Sequence, residues 1–416
     1  MIRTKFAWAV GVALSCATTS LYADWLQFRG NDHSGIADGA VLPTSFNDES
    51  KENVAWKVAL PGKGASSPIV IGDKVIVTAS GGTTDADREL KQDHIYVLCF
   101  DAKSGKELWR RKQWATGRSL SHPQSGNAAP TPASDGKRIF AFFSSNDVVC
   151  LDLDGNLLWY RGLAYDYPKA GNDIGMSSSP VVIGDTVIVQ VESQGDSFAA
   201  GLNTSTGETR WRIERDPGST WCSPAVYKGE DGKSAVLLQS SARLTAHEPA
   251  TGKELWKFEA SCNTIPSSTA QPGVIYVPAS GLTALKIKPD SPNPEVQWDS
   301  NQLAPDSASP VIYKGKVYLM GRGVLTAGDA ETGKKLWQLR LKGSQFWATP
   351  VIADDKMYLA SFDKEGEAQI VDLAGSMGKV IGTGKLGEPV QASPAVSDNA
   401  MYIRSDHSLW KIAAKP

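Results

Sequence analysis

A small residue followed by proline and a β-branched run returns along this chain at a near-constant interval, and nothing else in it limits the possible folds so strongly. The motif stands at Ser67-Pro68, Thr131-Pro132, Ser179-Pro180, Ser223-Pro224, Ser309-Pro310, Thr349-Pro350 and Ser393-Pro394, with a degenerate copy at Ser267-Ser268-Thr269. The interval is about 40 to 48 residues except for a longer first step, which matches one four-stranded propeller blade. A unit of that size cannot bury both faces of its sheet alone, so the copies must stack on one another.

A second signal alternates with the first. An acidic or amide residue is followed by a short linker, Gly, and then Trp: Asp101 through Gly105 to Trp109, Asp152 through Gly155 to Trp159, Asn203 through Gly207 to Trp211, Glu248 through Gly252 to Trp256, and Asp329 through Gly333 to Trp337. This predicts a hairpin between the third and fourth strands of each unit, because Gly supplies positive φ and Asp or Asn bonds its own backbone just beyond. The Trp opens the outer strand and gives each repeat one large ring for packing against its neighbour. Between the signals lie strand-turn-strand runs such as Ile69 to Val77 and the near copy Val181 to Val189. The pattern weakens at Trp298, where Lys288 to Pro294 replaces the usual turn, and at Asp372 to Gly382, where no Trp follows.

Closure is legible at the two ends. After Ser393-Pro394 only Ala400 to Arg404 and Ser408 to Ile412 remain, one strand short of a blade. Val54-Ala55-Trp56-Lys57-Val58 has the outer-strand pattern with no blade before it. Joining the two gives an all-β fold, an eight-bladed β-propeller of four-stranded antiparallel blades closed by pairing of the N-terminal strand with the C-terminal blade. Closure of this kind leaves no sheet edge open between blades. Seven blades with a separate tail would leave Trp56 without a role.

The expected organisation is a signal peptide over 1–23, an N-terminal extension over 24–52 and the propeller over 53–416. Arg3 and Lys5 precede an apolar run from Phe6 to Leu14, too short to span a bilayer, and cleavage after Ala23 would expose Asp24. Cys16 in Ala-Leu-Ser-Cys is an alternative lipid-acceptor site. The protein is therefore expected in the periplasm or outside the cell, with an outer-membrane lipoprotein as the alternative, and as a monomer. A net charge of −2 carries no nucleic-acid footprint. Cys99, Cys150, Cys222 and Cys262 lack the spacing of a zinc site, and export leaves open either disulfides, such as Cys222 with Cys262, or buried thiols. The five His are scattered over the repeats, and no metal site is expected.

Insertions point to the site. Gly81 to Asp93, Gln113 to Ala128 and Gly162 to Met176 emerge on one face of a propeller, over blades one to three. They bring Arg118, His122, Asn127 and Asp173 to the channel mouth. Trp221, Asn263, Asp306, Trp347 and Gln391, each just before an inner strand, face the same mouth. Together they describe a concave polar and aromatic surface for a peptide, a glycan or a small organic ligand. The same loops would equally serve to plug the channel and satisfy one another. Neither a Gly-x-Ser-x-Gly elbow nor a phosphate-binding loop is present.

The repeats and the Asp24-Trp25-Leu26-Gln27-Phe28-Arg29-Gly30 opening resemble the pyrroloquinoline-quinone-like (PQQ-like) propeller proteins exported by planctomycetes and related bacteria, and more distantly BamB-like propeller lipoproteins. In this repeat family Trp56, Trp109, Trp159, Trp211, Trp256, Trp298 and Trp337 are the docking tryptophans. The resemblance implies three readings. The first is a non-catalytic scaffold binding a protein, peptide or polysaccharide ligand at the mouth. The second is a quinoprotein-like oxidoreductase using PQQ with calcium, and the third a BamB-like outer-membrane assembly factor. The dehydrogenases of the family carry a vicinal Cys pair and a calcium site, and neither motif occurs here, so no cofactor is expected.

Overall fold

A computed structural model describes residues 24–82, 92–119, 121–122, 124–171, 174–229, 231–288, 291 and 293–414. The leader and Asp173 lie outside them. Eight radial sheets surround a central channel. Blade 1 runs outward through Ile69–Ile71, Lys74–Gly81, His94–Asp101 and Glu107–Trp114, all antiparallel. Blades 2 to 7 repeat this over 133–162, 181–215, 225–259, 269–300, 311–340 and 351–385. Blade 8 takes its inner three strands from Ala395–Ser397, Ala400–Arg404 and Ser408–Ala413, and its outer strand from Val54–Ala59. The closing register pairs Trp56 with Lys411, Lys57 with Trp410 and Val58 with Leu409. Arg404, buried at the end of its strand, donates through Nη1 to the Ser66 carbonyl at 3.2 Å and so ties blade 8 to the entry of blade 1.

Successive blades are joined by the tryptophans, each of which reaches forward onto the next blade. The rings of Trp56, Trp109, Trp159, Trp211 and Trp298 lie against Gly105, Gly155, Gly207, Gly252 and Gly333, all at positive φ. Their indole N–H groups donate to the carbonyls of Ala102, Leu153, Thr204, Pro249 and Ala330 at 2.9 to 3.2 Å. A ring larger than any aliphatic side chain therefore sits where a Cβ would intrude, and its one polar group is satisfied. Trp337 packs on Gly378, with its N–H unpartnered among the described residues. Trp256 is half-buried in the apolar layer between blades 4 and 5.

Blade 7 departs from the four-stranded plan. Its outer strand, Lys379–Lys385, has no Trp, and Phe46–Asn47 pairs with it in parallel as a fifth strand. The Phe46 ring covers Gly384 and joins the core shared by blades 7, 8 and 1. The segment before it crosses one end of the ring of blades: Trp25 bridges Val70, Ile36 bridges Ile352, and the Tyr358 hydroxyl donates to the Leu42 carbonyl at 3.1 Å. One turn of helix, Leu163–Asp166, lies in the third insertion, and among the described residues no helix is long and apolar enough to cross a membrane. All four cysteines from Cys99 onward are free and buried, Cys222 and Cys262 included. Burial pushes the thiols of Cys99, Cys150 and Cys262 up to about 12.

Candidate functional site

Eight inner strands converge on the axis, and the residue ahead of each must be small. Proline after it holds that residue extended, which aims its side chain at the channel. The eight positions are Ser67, Thr131, Ser179, Ser223, Ser267, Ser309, Thr349 and Ser393, and all of them line one cavity. They also bind one another. The backbone N–H of Ser67 donates to Thr131 Oγ1 at 2.9 Å, that of Thr131 to Ser179 Oγ at 3.0 Å, and so on through Ser223, Ser267, Ser309 and Thr349 to Ser393 Oγ. Seven such bonds run in one sense around the channel. Every hydroxyl oxygen but that of Ser67 uses a lone pair on its neighbour's amide, and among the described residues none of the eight donates its own proton to a protein acceptor.

The degenerate repeat has a reason in this ring. Ser268 stands where the other blades have proline, and its N–H donates to Gln239 Oε1 at 2.9 Å, a bond that proline cannot make. At the same place Arg29 enters from the N-terminal segment, its Nη1 donating to Thr269 Oγ1 at 2.7 Å and its Nη2 to the Ser268 carbonyl at 2.9 Å. The segment crosses beneath the ring from blade 1, where Trp25 bonds Val70, past blade 2, where the Leu26 carbonyl accepts from Ser134, to blade 7, where Ala37 donates to Ile352. Phe28 becomes the floor of the cavity, which holds about 340 Å³ and opens at the loop-rich end.

The loops interlock over that opening. His122 in the second insertion donates its N–H to the Ile174 carbonyl in the third at 3.0 Å, and Gln391 Nε2 donates to the Gln124 carbonyl at 2.7 Å, spanning from blade 8 to the blade 1–2 loop. Trp221 is held by its indole N–H on the Gly175 carbonyl at 3.0 Å. Trp347 stacks on Phe362, ring centroids 4.5 Å apart and 16° from parallel.

Of the residues expected at the mouth, His122, Trp221, Trp347 and Gln391 line the cavity. Asn127, Asn263, Asp306 and Arg118 do not. Asn127 is fully buried, bonded to Gln92 and to the Ser145 N–H, and braces two loops from within. Asn263 Nδ2 turns to the Pro305 carbonyl, and Asp306 is exposed beyond the rim. Arg118 is exposed on the second insertion, away from the lining, and Asp173 lies outside the described residues. The lining residues that the loop argument passed over are the hydroxyl ring, Phe28, Ile174 and Ile265. The ring was present as the repeated Ser or Thr; the floor had no periodic signal at all.

Among the described residues the lining contains no Asp, Glu, Lys or Arg, and His122 is its one titratable side chain. Nor do any three His, Cys, Asp or Glu side chains gather as a metal would need. Calcium takes carboxylate and carbonyl oxygens, and the lining offers it no carboxylate. PQQ carries three carboxylates, and among the described residues the lining offers them no Lys or Arg, Arg29 being buried under the floor. The donor set therefore does not match PQQ with calcium.

Comparison with known proteins bears on the whole ring. The family model described as "Outer membrane protein assembly factor BamB" matches in overlapping stretches, 45–212, 96–271, 196–347, 286–367 and 321–415. BamB of Yersinia pestis is 21% identical over 319 residues, covering 63% of this chain and 77% of that protein. Polyvinylalcohol dehydrogenase of a Sphingopyxis strain is 29% identical over 184 residues, covering 42% of this chain and 23% of that one. The chain spans only about a fifth to a quarter of the length of the first curated relatives it matches. The crystal structure of BamB from Moraxella catarrhalis superposes with a TM-score of 0.63 at 18% identity, over 87% of this chain and 97% of that one. With matches running from the closing strand to the last blade, the chain belongs to the PQQ-repeat propeller family of the outer membrane protein assembly factor BamB.

Proposed function

We propose that this protein is an exported, non-catalytic propeller scaffold that binds a protein, peptide or polysaccharide through the mouth of its channel. The observation that carries the reading is the character of the cavity. It is walled by hydroxyls and lined by Trp221 and Trp347, and among the described residues its lining lacks the paired acid and base or activated nucleophile that catalysis would use. Aromatic side chains at a rim supply contact area at little conformational cost, while hydroxyls fix orientation. Working without a cofactor belongs to the same proposal, as do monomeric behaviour and export through the leader at residues 1–23.

Family membership favours a second, compatible reading, in which the scaffold acts as an assembly factor for outer-membrane proteins. A screen of peptide and glycan arrays with the purified protein tests the first. Binding that falls at least tenfold in Trp221→Ala or Trp347→Ala supports it. Addition of PQQ and calcium that yields dye-linked dehydrogenase activity would replace it with an oxidative function. Co-purification with a barrel-assembly complex would establish the second.

A further inference from the structure

The floor of the channel hides a positive charge that no carboxylate answers. Arg29 is 2% exposed, its guanidinium carbon lies 5.4 Å from the centroid of the Phe28 ring, and among the described residues its Nε hydrogen has no hydrogen-bond partner. Its two terminal nitrogens bond to neutral oxygens of Ser268 and Thr269, and among the described residues no Asp or Glu pairs with it. Burial draws the guanidinium down to about 10, which leaves it a cation at neutral pH. Buried charges are normally paired, and an unpaired one is costly to keep. Thr269 stands two residues beyond Ser267, a rise of about 7 Å in extended chain, so Arg29 is anchored just past that member of the hydroxyl ring.

The wall above has a matching polarity. Seven of the eight ring oxygens already accept an amide, which leaves each of those hydroxyls one proton to donate and one lone pair. Hydroxyls can turn their protons to an acceptor, and the buried cation beneath them favours one with negative charge over an ammonium group. Phe28 lines the cavity from the N-terminal segment that crosses the channel, an arrangement that favours the end of a chain over its middle. Ile174, Ile265, Trp221 and Trp347 line it with apolar surface that would hold side chains.

We propose that the channel captures the carboxyl terminus of a peptide chain, with the terminal carboxylate on the hydroxyl ring above Arg29 and the last side chains against Trp221 and Trp347. This rests on the reading of the mouth as a binding site and names the ligand class for it. Capture of a terminal carboxylate by convergent donors is a recurring mode of peptide recognition. Here the donors are side-chain hydroxyls contributed once per blade.

The test is titration calorimetry of the purified protein with three blocked dipeptides: N-acetyl-Ala-Phe as the free acid, the same peptide as its carboxamide, and Ala-Phe carboxamide with a free amine. The acid is expected to bind at least tenfold more tightly than either amide. Arg29→Gln should remove that preference. Since Arg29 also anchors the floor, Ser223→Ala and Thr349→Val, which delete ring donors one at a time, should each reduce it several-fold in proteins whose melting temperature is retained. Trp347→Ala should weaken acid and amide alike. Equal binding of acid and amide, still sensitive to Trp347→Ala, would overturn the carboxylate assignment while leaving the mouth as a binding site. Absence of binding by all three at millimolar concentration would overturn it as well, with the arrays then deciding the broader reading.

Discussion

Blade 3 contains a matched pair of glycines that separates backbone strain from ring docking. Gly184 sits in the inner hairpin at φ +60°, and Gly207 in the outer hairpin at φ +73°. A Cβ added at Gly184 meets nothing within 4 Å, whereas one added at Gly207 falls 2.6 Å from Cε3 of Trp159. Alanine at either position carries the left-handed penalty of about 1 to 2 kcal/mol. At Gly207 it must also displace a ring that is only 8% exposed. Overpacking of that kind adds about 1 to 3 kcal/mol. Moving the ring also strains the 3.0 Å bond from Trp159 Nε1 to the Thr204 carbonyl, a net contribution of about 1 kcal/mol. Gly207→Ala is therefore expected to cost about 2 to 4 kcal/mol more than Gly184→Ala, read as a shift of the urea midpoint at unchanged slope. In a Trp159→Ala background the excess should vanish, because the obstacle is gone. Equal losses for the two alanines, or an excess that survives removal of the ring, would show that the tryptophans do not lock the blades together.

Two further outcomes follow from the N-terminal segment. Deleting residues 24–58 removes the outer strand of blade 8, the channel floor and the fifth strand of blade 7, and is expected to lower the melting temperature by more than about 10 °C. An unchanged melting temperature would mean that the ring closes without that strand. His33 is buried and held neutral, its pKa drawn down to about 3 by burial first and by the nearby Arg29 charge second. Between pH 6.5 and 3 the unfolded chain therefore binds a proton that the folded one refuses, so stability falls as the pH falls through this window. From pH 6.5 to 5 the loss is about 2 kcal/mol. Urea midpoints at the two pH values should differ less in His33→Gln than in the parent protein by that amount, and identical slopes would remove His33 from the account.

How far the fold could be read beforehand depended on periodicity. The Ser-Pro and Gly-to-Trp signals recur because each blade solves the same packing problem, and Trp56 announced the closing strand by carrying the pattern without a blade of its own. The segment from Trp25 to Ala37 solves a problem that occurs once. Arg29 meets Thr269 across 240 residues, and no local pattern marks such a contact. The site shows the same division. Trp221, Trp347 and Gln391 occupy a repeated place ahead of inner strands and arrive at the mouth, as does His122 from its insertion. Asn127 and Asn263 are equally polar and equally near, but they spend their amides on loop carbonyls, since a chain that turns inside a protein must satisfy its backbone. Which use a loop amide serves is decided by geometry and not by residue type.

The circle of amide-to-hydroxyl bonds has an evolutionary corollary. Seven of the eight junctions use the same donor and the same acceptor, so at the hub most blades meet their neighbours through one shared contact. A gene that duplicated or lost one of the regular units would still keep that contact between the blades left adjacent, and the misfit would be one of circumference, felt at the rim and in the crossing segment. What sets one blade apart from another therefore resides in the loops and, for blade 5, in the Ser268 and Arg29 contacts that the other units lack.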